Sequence, residues 1–208
     1  MGGGIADDLL VKLILCGDMR RLSAEARREL LEAVREKEAE GYDLVHADGT
    51  LELLVREAAR PGSRFFKVLD CEVTTHMRVA LGFETKAQVT VEAEGAILTA
   101  HASGRGPVHA LDVALRECLA TMYESIGKVR LIDYRVGMLE PDAGTAARVR
   151  VSIDWSDGDN SWTTAGVSED IIEASWAALT DAIRLEVMRL SETNPALAAP
   201  ADDNSWAV

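Results

Sequence analysis

The sequence predicts an α+β chain: two βββα units related by pseudo-two-fold symmetry, preceded by a small helical subdomain. Three observations carry the prediction. Val149, Val151, Ile153 and Trp155 fall on every second position, the period of a half-buried strand. Two long stripes recur at three- and four-residue steps: Val108, Leu111, Leu115, Leu119, Met122 and Ile126, then Ile172, Trp176, Leu179, Ile183, Val187 and Leu190. The two halves also keep a fixed spacing. Gly104 and Gly166 lie 62 residues apart, and the segments Ala110 to Leu115 and Ala174 to Leu179 lie 64 apart. Little residue identity accompanies this spacing, so the repeat is one of architecture.

In chain order, Ile5 to Cys16 reads as a short helix broken at Gly17-Asp18. Ser23 to Glu40 is a run of strong helix formers with Gly41 as its C-terminal cap. Tyr42 to Ala47 is expected to be extended. Asp48-Gly49-Thr50 turns into a helix to about Arg60, which Pro61-Gly62 ends. Arg64 to Ala80, Lys86 to Ala93 and Ile97 to Ala102 are the first three strands. Pro107 then opens the first striped helix. Val129 to Leu139, Ala146 to Trp155 and Ser161 to Gly166 are the second three, with Ser156 to Asn160 as a turn. Ser168 is expected to cap the second striped helix. The resulting division is 1–62, 63–190 and a Pro/Ala/Asp tail over 191–208, expected to be disordered.

Composition narrows the function. Of 208 residues, 35 are acidic and 22 basic, a net charge of −13 spread along the chain. Nucleic-acid and anionic membrane partners are thereby disfavoured, because both are bound by clustered Lys and Arg. Cys16, Cys71 and Cys118 are odd in number, far apart and set among apolar neighbours. They are expected to be reduced, buried thiols, and the protein cytoplasmic. His46, His76, His101 and His109 show no metal-ligand spacing. Asp133 and Tyr134 point to opposite faces of a strand, and Ser168 and Ser175 have no matched histidine. No catalytic residue, metal or cofactor is therefore expected.

One site can be built from residue chemistry. Gly104, Arg105 and Gly106 leave backbone N–H groups at the positive end of a helix, suited to a carboxylate. Carbonyls near Leu98 and Thr99 suit an ammonium. Leu119, Met122 and Ile126, with Ile132 and Val136 on the following strand, offer an apolar wall. Each apolar residue is equally at home in a plain core.

GRGPVHALDVAL, LIDYRVGML, GTAARVRV and WTTAGVSEDIIEASWAAL, as they stand between residues 104 and 179, resemble one known family. It is the C-terminal regulatory domain of the citramalate and 2-isopropylmalate synthases. The resemblance spans residues 63–190 and is greatest to the citramalate-type branch through the IIEASW run. EAEGYDLVHADGTLELLVRE, residues 38–57, is similar to that branch's linker subdomain. Full-length members condense acetyl-CoA with a 2-oxo acid on a metal-dependent barrel, which takes about 250 residues. The barrel's His-x-His motif is missing from this sequence. The resemblance implies a homodimer that binds isoleucine or leucine and signals through the linker helices to a catalytic barrel domain or subunit. It also implicates Ser161 and Thr163 in the effector site. Arg105 and His109 stand where the family often carries Asn or Asp. A structural dimerisation module with a lost or altered effector site is the competing reading.

Overall fold

In a computed structural model of the chain, the described residues are 22–60, 65–79 and 82–193, together with Leu9, Lys12, Leu13 and Met19. The expected helix over 5–16, the Pro61-Gly62 stop and residues 194–208 of the expected tail lie outside the described residues or are only partly covered by them. Residues 191–193 close the last helix rather than opening a tail.

Two helices come first, α1 (Ala24–Glu40) and α2 (Asp48–Ala59). Three strands follow, β1 (Phe66–Arg78), β2 (Gly82–Ala93) and β3 (Ala96–Gly104), then helix α3 (Pro107–Leu119). The second set is β4 (Arg130–Met138), β5 (Val149–Ser156) and β6 (Ser161–Ser168), then α4 (Ile171–Thr193). Each set makes a three-stranded sheet in sequence order, β1-β2-β3 and β4-β5-β6. The two βββα units are present as expected.

The chain forms two compact units, with boundaries after residues 63, 130 and 185. One unit joins the N-terminal helices to the second sheet and the first part of α4. The other holds the first sheet and α3. The helices thus share a core with β6: Leu30, Val34, Leu44, Leu51 and Val55 are buried in one cluster with Ala165. Alone, that pair of helices buries too little to stand.

Local chemistry explains the ends of elements. Ser23 Oγ accepts the Ala26 N–H at 3.1 Å and caps α1. Gly41, at φ 105°, closes it, with the N–H groups of Gly41 and Tyr42 bonded to Glu38 and Lys37 carbonyls. Tyr42 to Ala47 is a hydrogen-bonded turn, not an extended segment. Asp43 accepts the His46 N–H on both its backbone and side-chain oxygens, which bends the chain. Asp170, not Ser168, caps α4, its Oδ1 taking the Ile172 N–H at 2.6 Å. Ser168 accepts the Asp170 N–H and donates to Glu173 one step earlier.

The first striped helix ends sooner than its periodicity suggests. After Leu119 the chain turns into a 3-10 segment, Glu124–Lys128, which carries Ile126 inward. Arg116 holds that turn, donating to Asp112 at 2.7 Å and to the carbonyls of Ile126 and Val129 at 2.6 and 3.0 Å. Tyr123 is buried, donates to the Phe65 carbonyl at 3.1 Å, and has its hydroxyl pKa pushed up to about 12 by burial.

Helix and sheet meet through small residues. In α3 the buried line is Ala110, Ala114 and Cys118, flanked by Leu111, Leu115 and Leu119. In α4 it is Ala174, Ala178 and Ala182, flanked by Ser175, Leu179 and Ile183. Trp176 and Ile172, expected on the buried stripe, are only half-buried. The glycines 62 apart are the reason for the close fit. A Cβ at Gly104 would sit 2.7 Å from Ala110 Cα, and one at Gly166 would overlap the Ala174 carbonyl. Gly104 therefore serves the docking of α3.

The Gly166→Ala variant is expected to lose about 3 kcal/mol of stability, because the blocking atom is backbone and cannot rotate away. Gly137→Ala, on an exposed edge with nothing within 4 Å, should stay within about 0.5 kcal/mol of the parent. Urea unfolding of both variants checks the contrast.

Candidate functional site

The second sheet is covered on both faces along β5 and β6. On one, α4 packs against it: Trp155 Nε1 donates to Thr164 Oγ1 at 2.8 Å, and that hydroxyl donates to the Ala178 carbonyl at 2.6 Å. Trp155 is fully buried, so the chain closes its polar atom rather than leaving it orphaned. On the other face, α2 reaches the free edge of β6. Asp48 Oδ1 accepts the Thr163 N–H at 2.8 Å, and Thr50 Oγ1 accepts the Ala165 N–H at 2.9 Å. Gly49 lies between them, where a Cβ would meet Trp162 at 2.7 Å.

Thr163 also donates to Asp154 Oδ1 at 2.7 Å, and Arg135 grips the same carboxylate with two bonds of 2.7 and 2.8 Å. Arg135, Asp154, Thr163 and Asp48 thus form a polar line from the edge strand β4, across β5 and β6, to the first turn of α2. The Arg135 guanidinium and the Thr163 hydroxyl hold the Asp154 carboxyl below its ordinary pKa, and Asp154 and Asp133 raise that of Arg135.

The opposite face of β4 is apolar and open. Tyr134 donates to or accepts from Ser175 Oγ at 2.6 Å, which fixes this as the α4 side. Alternation puts Ile132, Val136 and Met138 on that side, 59%, 43% and 52% exposed. Of the expected site residues in this unit, Ile132 and Val136 share a face. Thr163 belongs to the other face, and Ser161 opens β6 opposite Ser156, exposed.

In the unit built on the first sheet, Leu119 and Ile126 are fully buried core residues and Met122 is half-buried. The Leu98 carbonyl is 3.8 Å from Cys118 Sγ, on the helix side. Thr99 lies on the outer face, its hydroxyl 2.9 Å from that of Thr90. At the turn before α3, His109 Nδ1 accepts the Arg105 N–H at 3.1 Å and so occupies one of the donors expected for a carboxylate. Gly106 is in extended conformation with open space around it. Sequence reasoning singled out His109 as a departure from the family pattern and missed this bond, which a His four residues after a helix-entry residue can signal.

A groove of about 250 Å³ crosses the outer face of the first sheet, lined by Glu72, Thr74, Lys86, Gln88, His101 and Ser103. Ala87 and Ala102 also line it, but it holds no larger apolar side chain to pack against a branched aliphatic group. Among the described residues no group of three His, Cys, Asp or Glu is arranged to hold a metal. Nor is any described helix long and apolar enough to cross a membrane. Cys118 is buried against the Val89 carbonyl at 3.2 Å, whereas Cys71 is exposed on β1, contrary to expectation. Cys71 lies on the edge strand, which α3 covers far less than it covers β2 and β3.

A model of the LeuA allosteric (dimerisation) domain matches residues 46–186. The chain belongs to that family. Relatives in this family include an (R)-citramalate synthase of Streptomyces coelicolor, 40% identical over 161 residues, which are 77% of this chain and 30% of that protein. An (R)-citramalate synthase of Aquifex aeolicus is 37% identical over 166 residues, 79% of this chain and 31% of that protein. A 2-isopropylmalate synthase of Aquifex aeolicus is 32% identical over 129 residues, 60% and 23% of the two chains. The chain spans about 30% of the length of the citramalate synthases it matches.

Within the family domain, Asp181 links α4 electrostatically to the preceding helices. It is 20% exposed, 3.8 Å from Arg184, and in the field of Glu57 on α2 and Lys37 on α1. Burial, reinforced by Glu57 and opposed by Arg184 and Lys37, pushes its pKa up to about 7. The folded state then holds a proton that the unfolded chain, with an ordinary value of 3.8, releases earlier. The associated stability is complete below that ordinary value and is lost as pH rises through about 7. Asp181→Asn should remove this slope and be more stable than the parent by about 2 kcal/mol at pH 8. Thermal unfolding from pH 5 to 8 measures it.

Proposed function

We propose that this domain binds a branched-chain amino acid, isoleucine or leucine, and regulates by feedback a citramalate or 2-isopropylmalate synthase-like acyltransferase. It acts as a homodimer and signals to a catalytic barrel, attached or separate. The observation that carries the reading is the family match over residues 46–186, to a domain described as allosteric and dimerising. The relatives' names supply the enzyme class, (R)-citramalate synthase and 2-isopropylmalate synthase.

The open apolar row Ile132, Val136 and Met138 suits an aliphatic side chain, which gains about 25 cal/mol for each Å² it buries there. Ser161 and Thr163 enter the reading through the family resemblance. The line Arg135–Asp154–Thr163–Asp48 supports the regulatory half, since it ties the strand carrying that row to α2, a linker helix. A ligand that shifts β4 acts on this line, and the effect is limited to its differential affinity for the two positions. In the other unit the expected set is Leu98, Thr99, Gly104, Arg105, Gly106, Leu119, Met122 and Ile126; of these Gly106, at the start of α3, is the proposed carboxylate contact, while Leu119 and Ile126 lie in the core toward the far end of that helix.

One observation favours the alternative, a dimerisation module with an altered effector site: the Arg105 N–H is already taken by His109. Calorimetric titration with isoleucine, leucine and valine separates the two. The sensing reading expects saturable heat with isoleucine or leucine, weakened about tenfold by Ile132→Ala. Absence of heat with all three at millimolar concentration would leave only the dimerisation module.

A further inference from the structure

The two sheets differ at their third strands. The β6 edge is plugged by Asp48 and Thr50, which take the N–H groups of Thr163 and Ala165. Under the offset that relates Gly166 to Gly104, those residues correspond to His101 and Ser103 on β3. The register of β3 independently gives the same answer. Glu94 and Gly95, at φ 50° and 77°, form a two-residue turn with Ala93 paired to Ala96. Counting from that hydrogen-bonded pair, Ile97, Thr99, His101 and Ser103 turn their N–H and C=O groups away from β2. The sheet ends there: among the described residues no strand pairs with β3 on that side.

An open edge is a template for another strand, and proteins guard such edges with charge, proline or bulges. The edge strand β1 has a bulge between Val68 and Asp70 and carries Lys67, Asp70, Glu72 and Arg78. On β4 stand Arg130, Asp133 and Arg135. By contrast β3, AILTAHASG, has no Lys, Arg, Asp, Glu or Pro in nine residues, and its register is unbroken. Ile97 on it is 69% exposed.

We infer that β3 pairs antiparallel with β3 of a second copy about a two-fold axis at Ala100, joining two three-stranded sheets into one of six. This rests on the homodimer of the proposed function and assigns it a surface. Thr99 then faces His101 of the other copy, and Ile97 faces Ser103. All four have outward backbone groups, so the parity of the ladder is correct. No like charges oppose each other along the strand, which matters for two copies of a chain at −13. The same register sets exposed Arg105 of one copy beside exposed Glu94 of the other, twice by symmetry. The Arg105 side chain of each copy thereby gains an ionic partner, one at each end of the interface.

Light scattering after size exclusion tests this on the full chain. The parent is expected at twice its 22.5 kDa mass. His101→Pro removes an N–H that the chain's own ladder does not use, and should give a folded monomer with an unchanged circular dichroism spectrum. Arg105→Glu should raise the dimer dissociation constant about tenfold, and the double variant Glu94→Arg/Arg105→Glu should restore it. A dimeric parent whose dissociation constant is indifferent to Arg105→Glu, with no recovery in the double variant, would overturn the β3 interface and leave the homodimer standing on another surface. A monomeric parent would overturn both. Should the proline variant unfold, the charge exchange still decides.

Discussion

Everything in this fold depends on helices lying close to sheets, and closeness is set where a glycine meets an alanine. Gly104 admits Ala110, and Gly166 admits Ala174, with no room for a methyl group at either. Once these contacts are made, Ala114 and Cys118, or Ala178 and Ala182, follow along the same helical line, and the flanking Leu, Ile and Ser residues fill the sides. Packing density of this kind leaves little slack, so a displaced strand must move its helix or break contact. That property makes a small two-layer unit useful in regulation.

The twin units have been put to different uses. The second sheet is enclosed along β5 and β6, with α4 on one face and α1 and α2 sharing a core through Ala165 on the other. Its third-strand edge is stopped by side chains from the α2 start. The first sheet keeps a polar outer face and an unguarded edge. The two units offer equivalent third-strand edges, and the start of α2 covers one of them.

Much of this was legible in the sequence. Strict alternation in β5, the turn residues before β6 and the glycine spacing gave strands, order and repeat. The element ends were harder, because they are decided by particular hydrogen bonds. Asp170 outcompetes Ser168 as a cap, and Arg116 folds the chain back after Leu119 although the apolar period continues to Ile126. The buried stripes were off by part of a turn, since periodicity weights Trp176 above Ala174 and Ala178, whereas a sheet approached through glycine selects the small residues. For the site, the sequence identified chemistry but not faces. Ile132 and Val136 lie open on the α4 side of β4, while Thr163 is engaged on the other side by Asp154 and Asp48, two partners remote in sequence.

Through Arg135, Asp154, Thr163 and Asp48, an amino acid held at β4, as proposed, is felt at α2. Hydrogen exchange of backbone amides, with and without isoleucine, tests it most directly. Slower exchange is expected in β4 and also at the Thr163 amide and through Asp48–Ala59, with the second effect abolished by Thr163→Val. Protection confined to β4, or identical exchange with and without ligand, would contradict it.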